Sequence, residues 1–209
     1  MARLRYMSLR ISKIVSLLCL VSLVFPQVAR AQSGSETLGV RNDLKVTLLS
    51  LGSGSTRITY ERAFSRRNSG EVTLGVVGWG WDWMNHSHPR GMLMKAAYKW
   101  RLVPQQSSHS WLAGLYVKPE FVWAQFMYGA GNLGRDYGRP EHPERTLQAA
   151  LLAECGYQLV LDWFVFDIYC GLGPSVGTGN ANNYYHSFML LPADGWLAFT
   201  AGFRIGVAF

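Results

Sequence analysis

The closing stretch of the chain, residues 197–209, reads LAFTAGFRIGVAF and shows most clearly the pattern from which the fold is predicted. Apolar residues stand at every second position from Leu197 to Phe209, and the positions between them are small or polar, including Arg204. A period of two is that of a β-strand, whose side chains alternate between two faces of a sheet. The stretch therefore predicts a strand with one apolar face and one small or polar face.

The same alternation recurs along the chain and predicts eight strands in all. Short and long connections alternate between these strands after the first connection, as they do in an up-and-down barrel of the outer membrane with short periplasmic turns and longer outside loops. We therefore predict an all-β fold, an eight-stranded antiparallel up-and-down transmembrane β-barrel. The predicted strands cover residues 40–50, 56–64, 71–81, 91–103, 110–127, 145–160, 164–176 and 196–209.

Three features favour a membrane barrel over a soluble β domain. The polar face of the strands is mostly Gly, Ala and Thr with few charges, and the strands are long enough to cross a bilayer when tilted. Aromatic residues are concentrated at both ends of the strands, and such residues are enriched at the two membrane–water interfaces of membrane barrels. Near the short turns these are Phe64, Trp100, Trp111, Trp163 and Phe209, and near the long loops they are Trp79, Trp81, Trp83, Tyr128 and Trp196.

The first 31 residues have the pattern of a cleaved secretory leader. A basic region from Arg3 to Lys13 precedes the apolar residues 14–25, and Ala29-Arg30-Ala31 supplies small residues at a cleavage site. Of the 20 basic residues, five lie in the leader, so 15 basic and 13 acidic residues remain and the net charge falls from +7 to +2. This balance argues against a nucleic-acid partner. We predict that residues 1–31 are a signal peptide and that residues 32–209 form one outer-membrane barrel domain.

The chain resembles small outer-membrane β-barrel proteins of the OmpA/OmpX type. The resemblance rests on the leader, Tyr60-Glu61-Arg62, Lys118-Pro119-Glu120, Gly171-Leu172-Gly173-Pro174 and the closing strand. It implies location in the cell outer membrane after export, in contact with membrane lipid and lipopolysaccharide. It also implies that the terminal Phe209 is a signal for the barrel-assembly machinery. The group shares an architecture and little chemistry, so no activity follows from it.

If the apolar faces meet lipid, the other parity points into the barrel. Eight strands enclose a lumen just wide enough for side chains, so opposite charges inside would pair and fill it. We predict a lumen charge network and a plugged barrel; a polar conduit is the alternative. The predicted network consists of Lys45, Arg57, Glu61, Lys95, Lys99, Lys118, Glu120, Glu154, Asp167 and Arg204.

Cys155 and Cys170 are the two cysteines that follow the leader. A two-residue turn at Asp162-Trp163 would make them direct cross-strand neighbours on the lipid-facing parity. An oxidising periplasm permits a disulfide between them. The alternative is a pair of small apolar side chains in contact with lipid.

The predicted outside loops contain the candidate recognition residues. Residues 177–195 are unusually apolar for a solvated loop, and we predict a recognition surface of Tyr184, Tyr185, His186, Phe188 and Met189. Loop histidines beside Ser87 or Ser187 would be needed for a lipid-modifying enzyme, but neither serine stands in a G-x-S-x-G motif.

The sequence thus predicts a monomeric structural or surface-interaction barrel, without catalysis, metal or cofactor. Two alternatives are a lipid- or lipid A-modifying enzyme of the outer membrane and a soluble secreted barrel that binds a small apolar ligand.

Overall fold

The structure is a computed structural model, and it describes residues 39–82, 90–104, 110–127, 145–177, 189–190 and 196–209. Val40–Ala208 form one compact unit. Its elements are β1 (Asn42–Thr47), α1 (Leu48–Gly52), β2 (Ser53–Ala63), β3 (Asn68–Asp82), β4 (Arg90–Pro104), β5 (Gly114–Met127), β6 (Arg145–Leu161), β7 (Phe164–Gly177), β8 (Met189–Leu190) and β9 (Leu197–Ala208).

Strands β1–β7 and β9 form a closed antiparallel barrel in up-and-down order. Each strand pairs with the next one along the chain, and β1 closes the barrel by pairing with β9, with Asp43 opposite Ala208 and Thr47 opposite Arg204. The eight-stranded barrel predicted from the alternation is confirmed. We call the end of the barrel where β1 begins and β9 finishes the turn end, and the opposite end the loop end.

Burial alternates residue by residue along the strands. In β7, Val165, Asp167 and Tyr169 are buried, whereas Ile168 and Cys170 between and beyond them are exposed. The exposed face is mainly aliphatic and aromatic, and the buried face includes fully enclosed Lys, Arg, Glu and Asp side chains. This arrangement is the reverse of a soluble protein, where charged residues are almost never fully buried.

The first strand is shorter than the predicted 40–50, because the chain leaves the sheet after Thr47 and forms α1. The Ser50 hydroxyl donates to the Thr47 carbonyl at 2.8 Å, and the Ser55 hydroxyl donates to the Ser50 carbonyl at 3.3 Å. These bonds hold α1 beside the start of β2, where Gly54 has a φ of 80° that a side chain would disfavour.

At the loop end, β2 and β9 extend beyond β1, so α1 and β8 complete the wall there. The two residues of β8 lie opposite Phe199 and Ala198 of β9. No helix among the described residues is long and apolar enough to cross a bilayer.

The fifth strand begins at Gly114, four residues after the predicted start, because residues 110–113 fold over the turn end. The Ser110 hydroxyl accepts a hydrogen bond from the Leu112 amide at 3.1 Å, and Arg101 Nε donates to the Leu112 carbonyl at 2.9 Å. Leu112 is completely buried, and the main chain of Ser110 bridges to Val40. The segment therefore covers the barrel where a continued strand would have left it open.

Candidate functional site

The lumen contains all ten charged residues assigned to it from strand parity. Each is at most 6% exposed, and seven of the eight barrel strands contribute to the set, the exception being β3. Their side chains meet because strand alternation directs them to the same interior face.

Three further charges lie in the lumen beside the predicted ten: Asp43, Glu71 and Arg101. Asp43 and Arg101 have the same parity as Lys45 and Lys99 on their strands, and Glu71 has the parity of the buried Ser69 and Thr73 on β3. The signal that would have found them is the alternation itself. With them, the described interior contains seven cationic and six anionic residues. The lumen is therefore close to electrically neutral.

Glu61 is the centre of the network toward the turn end. Its carboxylate accepts from Lys45 Nζ at 2.6 Å and Lys99 Nζ at 2.7 Å, and it also pairs with Arg101. The Gln158 amide extends this group, because its Nε2 donates to Asp43 at 2.6 Å while its Oε1 accepts from Lys99 at 2.8 Å. Three cations thus share one carboxylate, and Gln158 connects one of them, Lys99, to Asp43.

Glu71 joins this group to the rest of the network. Lys118 Nζ lies 2.7 Å from Glu71 Oε1, and Lys99 Nζ lies 3.1 Å from Glu71 Oε2. Arg204 pairs with the same carboxylate. Glu71 therefore bridges cations from β4, β5 and β9.

Toward the loop end, Lys118 connects Glu71 to two more carboxylates. Its Nζ is 2.7 Å from Glu120 and 3.1 Å from Glu154, and Glu120 also pairs with Lys95. The ion pairs consequently form one continuous network from Arg101 to Lys95.

Two tyrosines pack inside the network. The Tyr116 hydroxyl donates to Asp167 at 2.6 Å, and Lys99 Nζ lies 4.1 Å from the Tyr116 ring centroid. Arg204 stacks over the Tyr169 ring with its Cζ 4.1 Å from the centroid. The rings therefore replace part of the hydration that buried cations lose.

Glycines on neighbouring strands make room for these rings. A Cβ atom at Gly156 would lie 2.5 Å from the Tyr116 hydroxyl oxygen and 2.5 Å from the Ile168 carbonyl oxygen. A Cβ at Gly202 would lie 2.8 Å from the Tyr169 hydroxyl oxygen. The small polar-face residues in the sequence thus provide the space that the large interior side chains occupy.

We expect Gly156→Ala to lower the free energy of unfolding by about 1–3 kcal/mol, because overpacking displaces either Tyr116 or the strand backbone. The matched control is Gly70→Ala, whose added methyl would meet only the exposed ring of Phe64 at 3.0 Å and no backbone atom. Urea unfolding of both variants measures the difference. Equal midpoints for Gly156→Ala and Gly70→Ala would contradict the packing argument.

Apolar layers close the charged network at both ends. At the turn end the layer consists of Ala63, Leu112, Ala113, Val160, Val165 and Ala208. At the loop end it consists of Val77, Leu93, Val122, Ala124, Ala150, Leu152 and Ala198. This layering, which is not evident from strand alternation, encloses the ion pairs between two apolar regions.

The outer face has aromatic residues at the turn end. Phe64 and Tyr98 stack with ring centroids 6.4 Å apart, and Tyr98 and Trp100 meet at 5.1 Å. Trp163 is exposed at the same end, and Trp79 and Trp196 are exposed at the loop end.

Trp111 differs from its predicted place in the outer aromatic belt. It is half-buried, packs against the apolar layer of the turn end, and lies under Arg41, whose Cζ is 3.7 Å from the ring centroid. The reason is the inward fold of residues 110–113, which removes Trp111 from the strand face. Trp83 and Tyr128 lie outside the described residues.

Cys155 and Cys170 are cross-strand partners on the outer face. They are paired in the register of β6 and β7, their Sγ atoms are 3.8 Å apart, and both are thiols in this structure.

Most of the predicted recognition surface lies outside the described residues. This applies to Tyr184, Tyr185, His186 and Phe188, and equally to Ser87 and Ser187 of the enzyme alternative. The main chain of Met189 pairs with Phe199.

Comparison with protein-family models, curated proteins and solved structures gives no match. The chemistry of the charged lumen therefore follows from its geometry alone. Among the residues that the structure describes, no group of three or more His, Cys, Asp or Glu side chains is arranged to hold a metal ion. The lumen carboxylates instead contact lysine and arginine, which suits them to packing and charge neutralisation.

Proposed function

We propose that the protein is an outer-membrane β-barrel with a plugged lumen and a structural or surface-interaction role. The observation that carries this proposal is the reversed polarity of the barrel. Large apolar side chains such as Leu74, Phe121 and Leu151 are at least half exposed, whereas Lys45, Lys99 and Arg204 are enclosed. A bilayer stabilises the apolar face, and the mutual pairing of the charges stabilises the interior.

A soluble barrel that binds an apolar ligand would need the opposite distribution. Its outer face would be polar, and its lumen would offer an apolar cavity. Here the middle of the lumen contains a network of ion pairs, and the exposed face presents a continuous series of aliphatic side chains. The membrane barrel accounts for both faces, so we favour it.

Membrane extraction and gel mobility test the location. We expect the protein to stay with outer membranes in high salt and sodium carbonate and to require detergent for release. Unheated samples are expected to migrate differently from boiled samples on a denaturing gel, because a closed barrel resists the detergent until heated. Release by salt alone would refute the membrane assignment.

The plugged lumen predicts no steady ion conductance. Among the described residues, an apolar layer lies on each side of the ion pairs, and an eight-stranded barrel is only wide enough for side chains. Planar-bilayer recordings of the purified protein are expected to stay at baseline, with a 16-stranded porin as the positive control. Reproducible single-channel openings would show that the lumen conducts.

We propose that any surface interaction takes place at the loop end. Strands β3, β5 and β7 end there, and β4, β6 and β9 begin there. In this proposal the loop end lies outside the cell. The segments that connect the strands at this end would then contact lipopolysaccharide.

Deletion of residues 182–188 should leave heat-modifiable mobility intact and reduce binding to lipopolysaccharide vesicles.

A further inference from the structure

We propose that Cys155 and Cys170 form a cross-strand disulfide in the exported protein. They are direct partners in the register of β6 and β7, and their Sγ atoms lie 3.8 Å apart. A disulfide requires about 2.0 Å between the sulfur atoms, so the two side chains need to approach by less than 2 Å.

The outer face leaves space for this approach. Both cysteines are exposed, and their neighbours across the sheet on either side are Val117 and Ala201, which are not bulky. Bond formation therefore displaces no lumen residue and breaks no ion pair.

The two thiols meet as soon as one hairpin forms. A turn at Asp162-Trp163 connects β6 and β7, and Asp162 adopts a φ of 51° there. The strands then pair from Leu161 opposite Phe164 to Gln148 opposite Gly177. Because this contact is local in sequence, the hairpin can bring the thiols together before the barrel closes.

The reaction is an exchange with an oxidising protein disulfide. Each thiol loses one proton, one S–S bond forms between Cys155 and Cys170, and the electron pair reduces the oxidant's disulfide to two thiols. This step rests on the proposed export, since thiols are kept reduced in the cytosol and oxidised in the periplasm. It precedes insertion, because mid-strand thiols in a bilayer would be remote from a water-soluble oxidant.

The consequence of the bond is a fixed register. A shift of one residue between β6 and β7 would move every side chain of the displaced strand to the opposite face. Glu154 and Gln158 on β6, or Asp167 on β7, would then point into lipid. The disulfide excludes that pairing at the stage when only the hairpin has formed.

Alkylation of the exported protein tests the bond. Protein is extracted from outer membranes without reductant and treated with iodoacetamide before and after reduction. We expect no alkyl groups before reduction, two after it, and an intact mass lower by two hydrogens than that of the reduced chain. Two alkyl groups before reduction would overturn the proposal. Heat-modifiable mobility of the same sample reports separately on membrane assembly, so failure of the location is distinguishable from failure of the bond.

Serine variants test the effect on register. Reductant present during export is expected to slow the appearance of the heat-modifiable form of the native chain. The double variant with Cys155→Ser and Cys170→Ser should assemble at one rate with or without reductant. If reductant leaves the native chain's assembly rate unchanged, the bond has no role in register.

Discussion

Replacing Glu71 with glutamine is expected to lower the free energy of unfolding by about 3–5 kcal/mol, because the change removes one partner of a buried ion network. Lys99, Lys118 and Arg204 all pair with this carboxylate, and none of them can reach water. Glutamine keeps the shape of the side chain and removes only its charge. Urea unfolding of the protein refolded in phospholipid vesicles, followed by tryptophan fluorescence, measures the loss.

Two further variants make this result specific. Arg66→Gln changes one charge at an exposed turn position, and we expect it to alter stability by at most about 0.5 kcal/mol. Combining Glu71→Gln with Lys99→Gln restores the balance of charge in the lumen and should recover part of the loss, because Glu61 keeps its pairs with Lys45 and Arg101. An unfolding midpoint of Glu71→Gln equal to that of the native chain would mean that the network does not hold the barrel together.

Replacing Leu151 with arginine should cost about 2–4 kcal/mol if the barrel spans a bilayer, because a charge on the lipid face is most unfavourable near the midplane. Leu151 lies in the middle part of β6 on the outer face and is 56% exposed. In a soluble protein the same substitution would place a charge in water at almost no cost.

The matched control is Leu161→Arg on the same strand. Leu161 is 57% exposed, so the two sites differ in depth rather than in exposure. It is the last residue of β6 and lies beside Trp163 at the turn end, where an arginine should cost about 0–1 kcal/mol. Folding into phosphatidylcholine vesicles gives both values. Equal and small costs at the two positions would refute the membrane-spanning arrangement.

Much of the fold was predictable because strand alternation is a local property. The pattern of Leu197 to Phe209 needs only its own neighbours to show which side chains share a face. Alternation also predicts that Lys118 and Glu120 lie on one side of β5 and Pro119 on the other, and in the structure Lys118 and Glu120 are buried whereas Pro119 is exposed.

Departures from simple strands were harder to predict. Residues 48–50 and 110–113 continue the apolar character of their strands, yet they form α1 and the cover of the turn end. Residues 110–113 are also held by a distant part of the chain, because the Trp111 amide donates to the Val40 carbonyl at 3.0 Å and Ser110 bridges to Val40. Local pattern contains no information on these partners.

The alternation with a period of two establishes from residue types alone that the interior side is charged and that Cys155 and Cys170 face each other across a two-residue turn. Which charges meet depends on the assembled barrel. Arg204 and Glu71 are 133 residues apart, and Lys118 and Glu71 are 47 apart. Their contact depends on the stagger of strands around the closed barrel, which sets the height of each residue in the lumen. That stagger is a property of the whole barrel, and the alternation within one strand does not contain it.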